Sequence, residues 1–414
     1  MNNPKTPLPA DLNQLVTLYN SRRYAELEGL AGAMVKRFPA SGFVWKLLGA
    51  AQQMQGKSAL EAFSKTAKLL PGEPDAHFNL GVAQKSLGLF NEAVASYRRA
   101  VKLNPKYAEA YDNLGNVLKE LGQNNQAVTS FRRALSIKPN LATTHNNLGS
   151  ALKEMGKLDE AMECYRRAIA FNPKFADAHF NLGSLLKDLG NTKEAIVSYQ
   201  SGLALKPDVA EVYFYLGNLY YNLGQFSKSA NSFRHLLKLK PKTPGAYKYL
   251  GNALRHAGEY DSAIAIYHRA LQLEPDSADT YSHLGHVLKE QGEISVAKEH
   301  YIRALNIDPT CTEGLLGLGV LHSTNGDTHK ASSFFHDVLK VDPDNLITRY
   351  LLAYIAKCHA DDDNFIALQL LEQKALNSDT PMPDNQAVIM YFALGKCLND
   401  LGKYDFAFLK YQKA

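Results

Sequence analysis

Cysteine is scarce in this chain: four residues in 414, Cys164, Cys311, Cys358 and Cys397, with no CxxC or other metal-ligand spacing among them. So few exclude a disulfide framework, and the expectation is four reduced thiols, each a small half-buried hydrophobe. Long apolar runs are also missing. None approaches the 18 or so residues that a membrane-spanning helix needs, and the opening MNNPKTPLPADLNQL has no apolar signal core. An excess of one charge is lacking too, since 46 Lys and Arg face 41 Asp and Glu for a net charge of +5. Nucleic-acid binding normally needs basic residues concentrated on one face, so neither that nor membrane insertion is expected. The expected location is cytoplasmic.

Catalytic signatures are absent as well. No HExxH, GxSxG, GxxxxGK[ST] or EF-hand pattern occurs. Gly317-Leu318-Gly319 is followed by His322 where a dinucleotide loop would need glycine. His283 and His286 share a helix face, with His256 one unit earlier, but no carboxylate or cysteine in the pattern completes a metal set. No active site, cofactor or metal is therefore expected within these residues.

What the chain does have is a period. Apolar residues make up 45%, enough for a continuous core, and they recur in register. A Leu-Gly pair returns every 34 residues at Gly81, Gly115, Gly149, Gly183, Gly217, Gly251, Gly285 and Gly319. Seven residues after each comes a second glycine, such as Gly122 after Gly115. Aromatics (Phe131, Tyr165, Tyr199 and their equivalents) and prolines (Pro105, Pro139, Pro173) keep the same register.

One unit shows the mechanics. Ala110, Tyr111, Leu114, Val117, Leu118 and Leu121 follow one face of a helix. Gly115 lies in its middle at a cost of about 1 kcal/mol against alanine. That cost is tolerable if the missing side chain lets a neighbour approach. Gly122 ends the helix in positive φ. Asn125 is then placed to cap a second helix with an inward face of Ala127, Val128, Phe131, Ala134 and Leu135. Pro139 stops that helix. A lone pair of short helices cannot bury its apolar faces, so the units must stack.

Helix, turn, helix and break at this period resembles the tetratricopeptide repeat. The resemblance implies an all-α fold, a right-handed α-solenoid superhelix of about ten to eleven helical hairpins. Its expected divisions are an atypical hairpin over 1–41, nine contiguous units over 42–345, a divergent unit with an inserted loop over 346–387, and a final unit over 388–414, cut in its second helix. The insertion carries Asp361-Asp362-Asp363 and the loop NSDTPMPDN at 377–385, read either as a drifted repeat with a long surface loop or as a hinge or partner-specific insertion. The apolar end at Ala414 suggests both a region of a longer polypeptide and a homo-oligomer formed through that uncapped end.

The resemblance also implies a protein or peptide ligand in a concave groove lined by the first helix of each pair. Asn79, Asn113, Asn147 and Asn181 occupy one groove position in four successive units; Asn116, Asn218 and Asn252 lie three residues further along theirs. Such carboxamides can donate to and accept from every peptide unit of an extended chain. They are similar to the asparagine ladder of O-linked N-acetylglucosamine transferases, and the alternative is that they bond neighbouring helices. Lys119, Lys153 and Lys187 form a parallel stripe, each beside an acid, which suits a peptide better than a polyanion. Phe78, Phe180 and Phe214 are partner anchors or, on the favoured reading, packing between hairpins. The chaperone-tail carboxylate clamp is absent, because His283, Glu313 and Gly317 stand where it needs Asn, Lys and Arg. Two functions follow: an interaction scaffold holding an extended peptide or partner segment, or the non-catalytic recruiting arm of a larger peptide-modifying transferase. The second rests on terminal segments that look like bacterial tetratricopeptide arrays fused to sulfotransferases.

Overall fold

The computed structural model describes residues 6–378 and 382–414, so Asp379, Thr380 and Pro381 of the expected loop lie outside the described residues. Every regular element among the described residues is a helix. The chain forms two compact units, 1–207 and 208–414.

The first unit holds six helix pairs. They are α1 (Pro9–Asn20) with α2 (Tyr24–Arg37), α3 (Gly42–Met54) with α4 (Leu60–Leu69), and α5 (Pro74–Ser86) with α6 (Phe90–Leu103). Next come α7 (Ala108–Glu120) with α8 (Asn124–Ile137), α9 (Ala142–Glu154) with α10 (Leu158–Phe171), and α11 (Ala176–Asp188) with α12 (Thr192–Leu205). The second unit begins with α13 (Ala210–Asn222) and α14 (Phe226–Leu239), α15 (Pro244–His256) and α16 (Tyr260–Leu273), and α17 (Ala278–Glu290) and α18 (Ile294–Ile307). It continues with α19 (Thr312–Thr324) and α20 (Thr328–Val341), α21 (Leu346–Ile355) and α22 (Asp363–Leu376), and α23 (Asp384–Asp400) and α24 (Tyr404–Lys413). Within each unit the hairpins pack on their successors, which is the tetratricopeptide α-solenoid arrangement.

The hairpin of α7 and α8 shows why. Ala110, Leu114, Val117 and Leu118 of α7 and Ala127, Val128, Phe131 and Ala134 of α8 are all buried. A Cβ on Gly115 would lie 2.6 Å from the Phe131 ring, so the glycine makes the seat for the aromatic of the next helix. The turn is tighter than the capping expectation allowed. Gly122 takes φ +71°, its N–H donates to Lys119 O, and the Gln123 N–H donates to Leu118 O at 2.8 Å. That Schellman closure uses so few residues that α8 begins at Asn124. Asn125 is therefore already inside the first turn, and it does not cap.

The first hairpin makes the same turn without glycine. Arg22 adopts φ +57°, and the Arg23 N–H donates to Leu18 O. A left-handed L-residue costs about 1–2 kcal/mol, so Arg22→Gly should raise the stability of this hairpin by up to about 1 kcal/mol after the entropic loss of glycine. A higher midpoint in thermal unfolding checks it.

A second lock was not foreseen. The residue six after a helix-ending proline donates back to that proline's carbonyl: Trp45 Nε1 to Pro39 O at 2.9 Å, His77, His145 and His179 Nε2 to Pro71, Pro139 and Pro173 O at 2.9–3.1 Å, and the Tyr247 hydroxyl to Pro241 O at 3.1 Å. These bonds satisfy carbonyls at the break between units that no helix can satisfy. Arg349 Nε does the same to Pro343 O at 3.1 Å, so residues of four different types do this work, which hides the pattern in the sequence.

The expectation of four reduced thiols is corrected. Cys164 and Cys311 are free and buried, but Cys358 and Cys397 form a disulfide across 39 residues. The cause is the divergent unit, where α21 packs on α23 as well as on α22. The chain after α21 therefore lies against α23, held also by the Cys358 N–H to Asp400 Oδ2 (3.0 Å) and Lys396 Nζ to Ala356 O (2.8 Å). No described helix is long and apolar enough to cross a membrane.

Candidate peptide-binding surface

In the first unit the expected amides lie on α5, α7, α9 and α11, and all are half-buried. Their geometry differs from one helix to the next. Asn113 Nδ2 donates to Glu109 O of its own helix at 2.9 Å. Asn116 Nδ2 donates to Asp112 Oδ2 at 3.2 Å. Asn181 Nδ2 crosses to Asn146 Oδ1 on α9 at 2.9 Å. Burial raises the Asp112 pKa, against the lowering effects of Thr144, the Lys85 charge, Asn116 and Asn147. The amides therefore belong to a polar seam that runs along the first helices from one hairpin to the next.

The lysine stripe reaches forward to the next hairpin. Lys119 Nζ lies 3.3 Å from Ser150 Oγ, and Lys153 Nζ lies 3.1 Å from Ser184 Oγ and 2.7 Å from Asp188 Oδ2. Lys187 also reaches Asp188, at 2.6 Å. Burial works against the Asp188 carboxylate, but the hydrogen bonds and charges of these two lysines outweigh it and hold its pKa low.

The second unit has its own seam. Lys248 on α15 pairs with Asp279 on α17 at 2.9 Å, Arg255 with Glu290 at 2.5 Å, and His286 Nε2 with Glu313 on α19 at 3.1 Å. The Tyr301 hydroxyl bonds His286 Nδ1 at 2.8 Å. The hydrogen bond from His286 lowers the Glu313 pKa against its burial. His283, stacked on Tyr267, has its pKa pushed down to about 4 by burial. No group of three or more metal-ligating side chains occurs among the described residues. Asn252 is engaged through its Oδ1, which accepts from the Tyr267 hydroxyl at 2.6 Å. Asn218 is half-buried on α13.

The three phenylalanines pack. Phe78 lies 5.0 Å from the Tyr107 ring, Phe180 covers the site where a Gly202 Cβ would fall, and Phe214 lies 5.3 Å from Tyr249. The exposed aromatics are different ones, which the sequence reading passed over. Tyr215 and Tyr249 occupy on α13 and α15 the position that Asn113 and Asn147 occupy on α7 and α9, and each is 37% exposed. Following the amide position past Asn181 would have found them.

Profiles described as TPR repeat match residues 85–122, 115–156, 149–190, 183–224 and 251–292, and profiles described as Tetratricopeptide repeat match 210–243 and 278–311. The chain belongs to the tetratricopeptide repeat family. Among solved structures it is similar to MamA, with 26% identity over 39% of this chain and 95% of that one and a TM-score of 0.38. It is similar also to MamA 41-end from Desulfovibrio magneticus RS-1, with 21% identity, 40% and 95% coverage and a TM-score of 0.38. The C-terminal part of a TPR repeat-containing protein from Cytophaga hutchinsonii shares 20% identity over 56% of this chain and 96% of that one, with a TM-score of 0.46. No curated protein matches. In this tetratricopeptide array the amides, the lysine stripe and the two exposed tyrosines all lie on first helices.

Proposed function

We propose that this tetratricopeptide array is a protein-interaction scaffold that holds an extended peptide or partner segment along the polar face of its first helices. The observation that carries the reading is the recurrence of a half-buried carboxamide at one position of α5, α7, α9 and α11 (Asn79, Asn113, Asn147 and Asn181). Asn116 on α7 and the lysines Lys119, Lys153 and Lys187 run beside it. An extended chain presents one carbonyl and one N–H per residue, whereas a helix has already used its own. Amides repeated along a surface therefore suit an extended ligand. Asn113 and Asn116 are bonded within α7 and Asn181 back to Asn146 on α9, at 2.9–3.2 Å, bonds that a peptide would exchange for its own at small net cost.

The test is an array of immobilised 15-residue peptides of mixed sequence, probed with the full chain and with the variant carrying Asn113→Ala, Asn147→Ala and Asn181→Ala. At about 0.5–1.5 kcal/mol for each lost hydrogen bond, captured peptides should bind the variant at least about tenfold more weakly, with helicity unchanged. Equal binding by both proteins would sink the reading.

A further inference from the structure

The amide position changes character in the second unit. Where α5, α7, α9 and α11 carry asparagine, α13 carries Tyr215 and α15 carries Tyr249. Both rings are 37% exposed, although most of the chain's tyrosines in repeat register are buried to within about 2%. They are also held in place. Tyr249 stacks on Phe233 with centroids 5.6 Å apart and planes at 17°, and its edge meets Phe214 at 5.3 Å. Phe214 in turn lies 6.1 Å from Tyr215, so a continuous row of three rings joins the two helices. Rings fixed by packing lose little entropy when a ligand settles on them.

The polar groups beside the rings select further. Asn218 and Asn252 stand three residues beyond the two tyrosines, one turn along the same helix face. The Asn252 Oδ1 accepts from the Tyr267 hydroxyl, and the N–H groups of that side chain remain as donors. The flanking charges are matched in pairs, Lys240 with Glu211 and Lys248 with Asp279. The surface thus presents ring faces and an amide donor between paired charges. A ligand that fits offers apolar faces and good carbonyl acceptors. Proline supplies both, and its polyproline II helix needs little ordering, repeating every three residues at about 3.1 Å each.

We infer that the α13–α15 face is a docking site for a proline-rich segment in the polyproline II conformation, with Tyr215 and Tyr249 stacking on its rings and Asn252 donating to a carbonyl. This rests on the peptide-scaffold reading and narrows it. The test is fluorescence anisotropy of the full chain with fluorescein-labelled decaproline, a Gly-Ser decapeptide and an alanine-rich helical peptide. Decaproline should bind at least tenfold more tightly than either control. Tyr215→Ala and Tyr249→Ala should each weaken it at least tenfold, whereas Tyr249→Phe, which keeps the stacked ring, should stay within about threefold. Circular dichroism confirms that each variant is folded, and Tyr215→Ala leaves the Phe233 stack untouched. The inference fails if decaproline binds no better than the controls, if the helical peptide wins, or if both alanine variants bind it as the parent does. Equal binding of decaproline and the Gly-Ser peptide overturns only the proline preference and leaves the groove reading standing. No binding by any peptide, here or on the mixed array, removes both.

Discussion

Gly251→Ala should destabilise the array, although alanine is the better helix former by about 1 kcal/mol. A Cβ at this position would lie 2.4 Å from Tyr267 Cε1 and 2.6 Å from Cζ. The ring has nowhere to go: it is fully buried, and its hydroxyl is tied to Asn252 at 2.6 Å. Overpacking a full core typically costs about 1–3 kcal/mol after relaxation, here set against the propensity gain of about 1 kcal/mol, so a net loss of up to about 2 kcal/mol is expected. The opposite sign is expected at Gly29, a mid-helix glycine of α2 with nothing within 4 Å of its would-be Cβ. Gly29→Ala should gain about 0.5–1 kcal/mol. Adding Tyr267→Leu to Gly251→Ala should recover part of the overpacking cost, so that the double variant loses less than the two singles together. Urea midpoints followed by circular dichroism decide this. A stabilised Gly251→Ala, or strict additivity with Tyr267→Leu, would show that the glycine is not there to seat the ring.

Acidification should weaken the second unit through His283. Burial holds its folded pKa near 4, against an ordinary value near 6.5. Between those values the unfolded chain takes up a proton that the folded chain refuses. The contribution of His283 is therefore complete above pH 6.5 and is lost as the pH falls toward 4. The shift corresponds to no more than about 3 kcal/mol. Glu313 acts in the same direction, since its lowered pKa adds stability that is lost as its carboxylate protonates. The charged groups around His283 are Glu313, His286, Lys248 and Asp279. His283→Phe keeps a ring against Tyr267 and removes the titration. Melting temperatures from pH 7.5 to 4 should fall more steeply for the parent than for this variant below pH 6.5. Parallel curves would exclude His283 as the source.

Both expectations lean on tertiary facts, yet the frame they sit in was legible beforehand. Gly122 at positive φ, Gly115 beneath Phe131 and the break at Pro139 follow from backbone sterics and helix periodicity within one unit. Those are local rules, and 34-residue recurrence repeats them until they are unmistakable. Asn125 marks their limit. Its residue type suits a cap, but the geometry of the preceding turn decides where the helix starts.

Other features could not be read that way. The Cys358–Cys397 disulfide, the side-chain donors on proline carbonyls, and the pairs Lys153–Asp188 and Arg255–Glu290 join residues that the sequence separates by 6 to 39 positions, and they depend on ångström-scale approach. Exposure likewise belongs to the packed structure: Tyr267 is buried and Tyr249 is not, though both are tyrosines in helical register. By itself, then, the amino-acid sequence determined the hairpin, its turn and its stacking, because short-range sterics and apolar periodicity suffice for these. Which side chains bond across hairpins, which histidine is held neutral and which tyrosines face solvent were decided only by tertiary structure, because each depends on what a neighbouring helix places within a few ångströms.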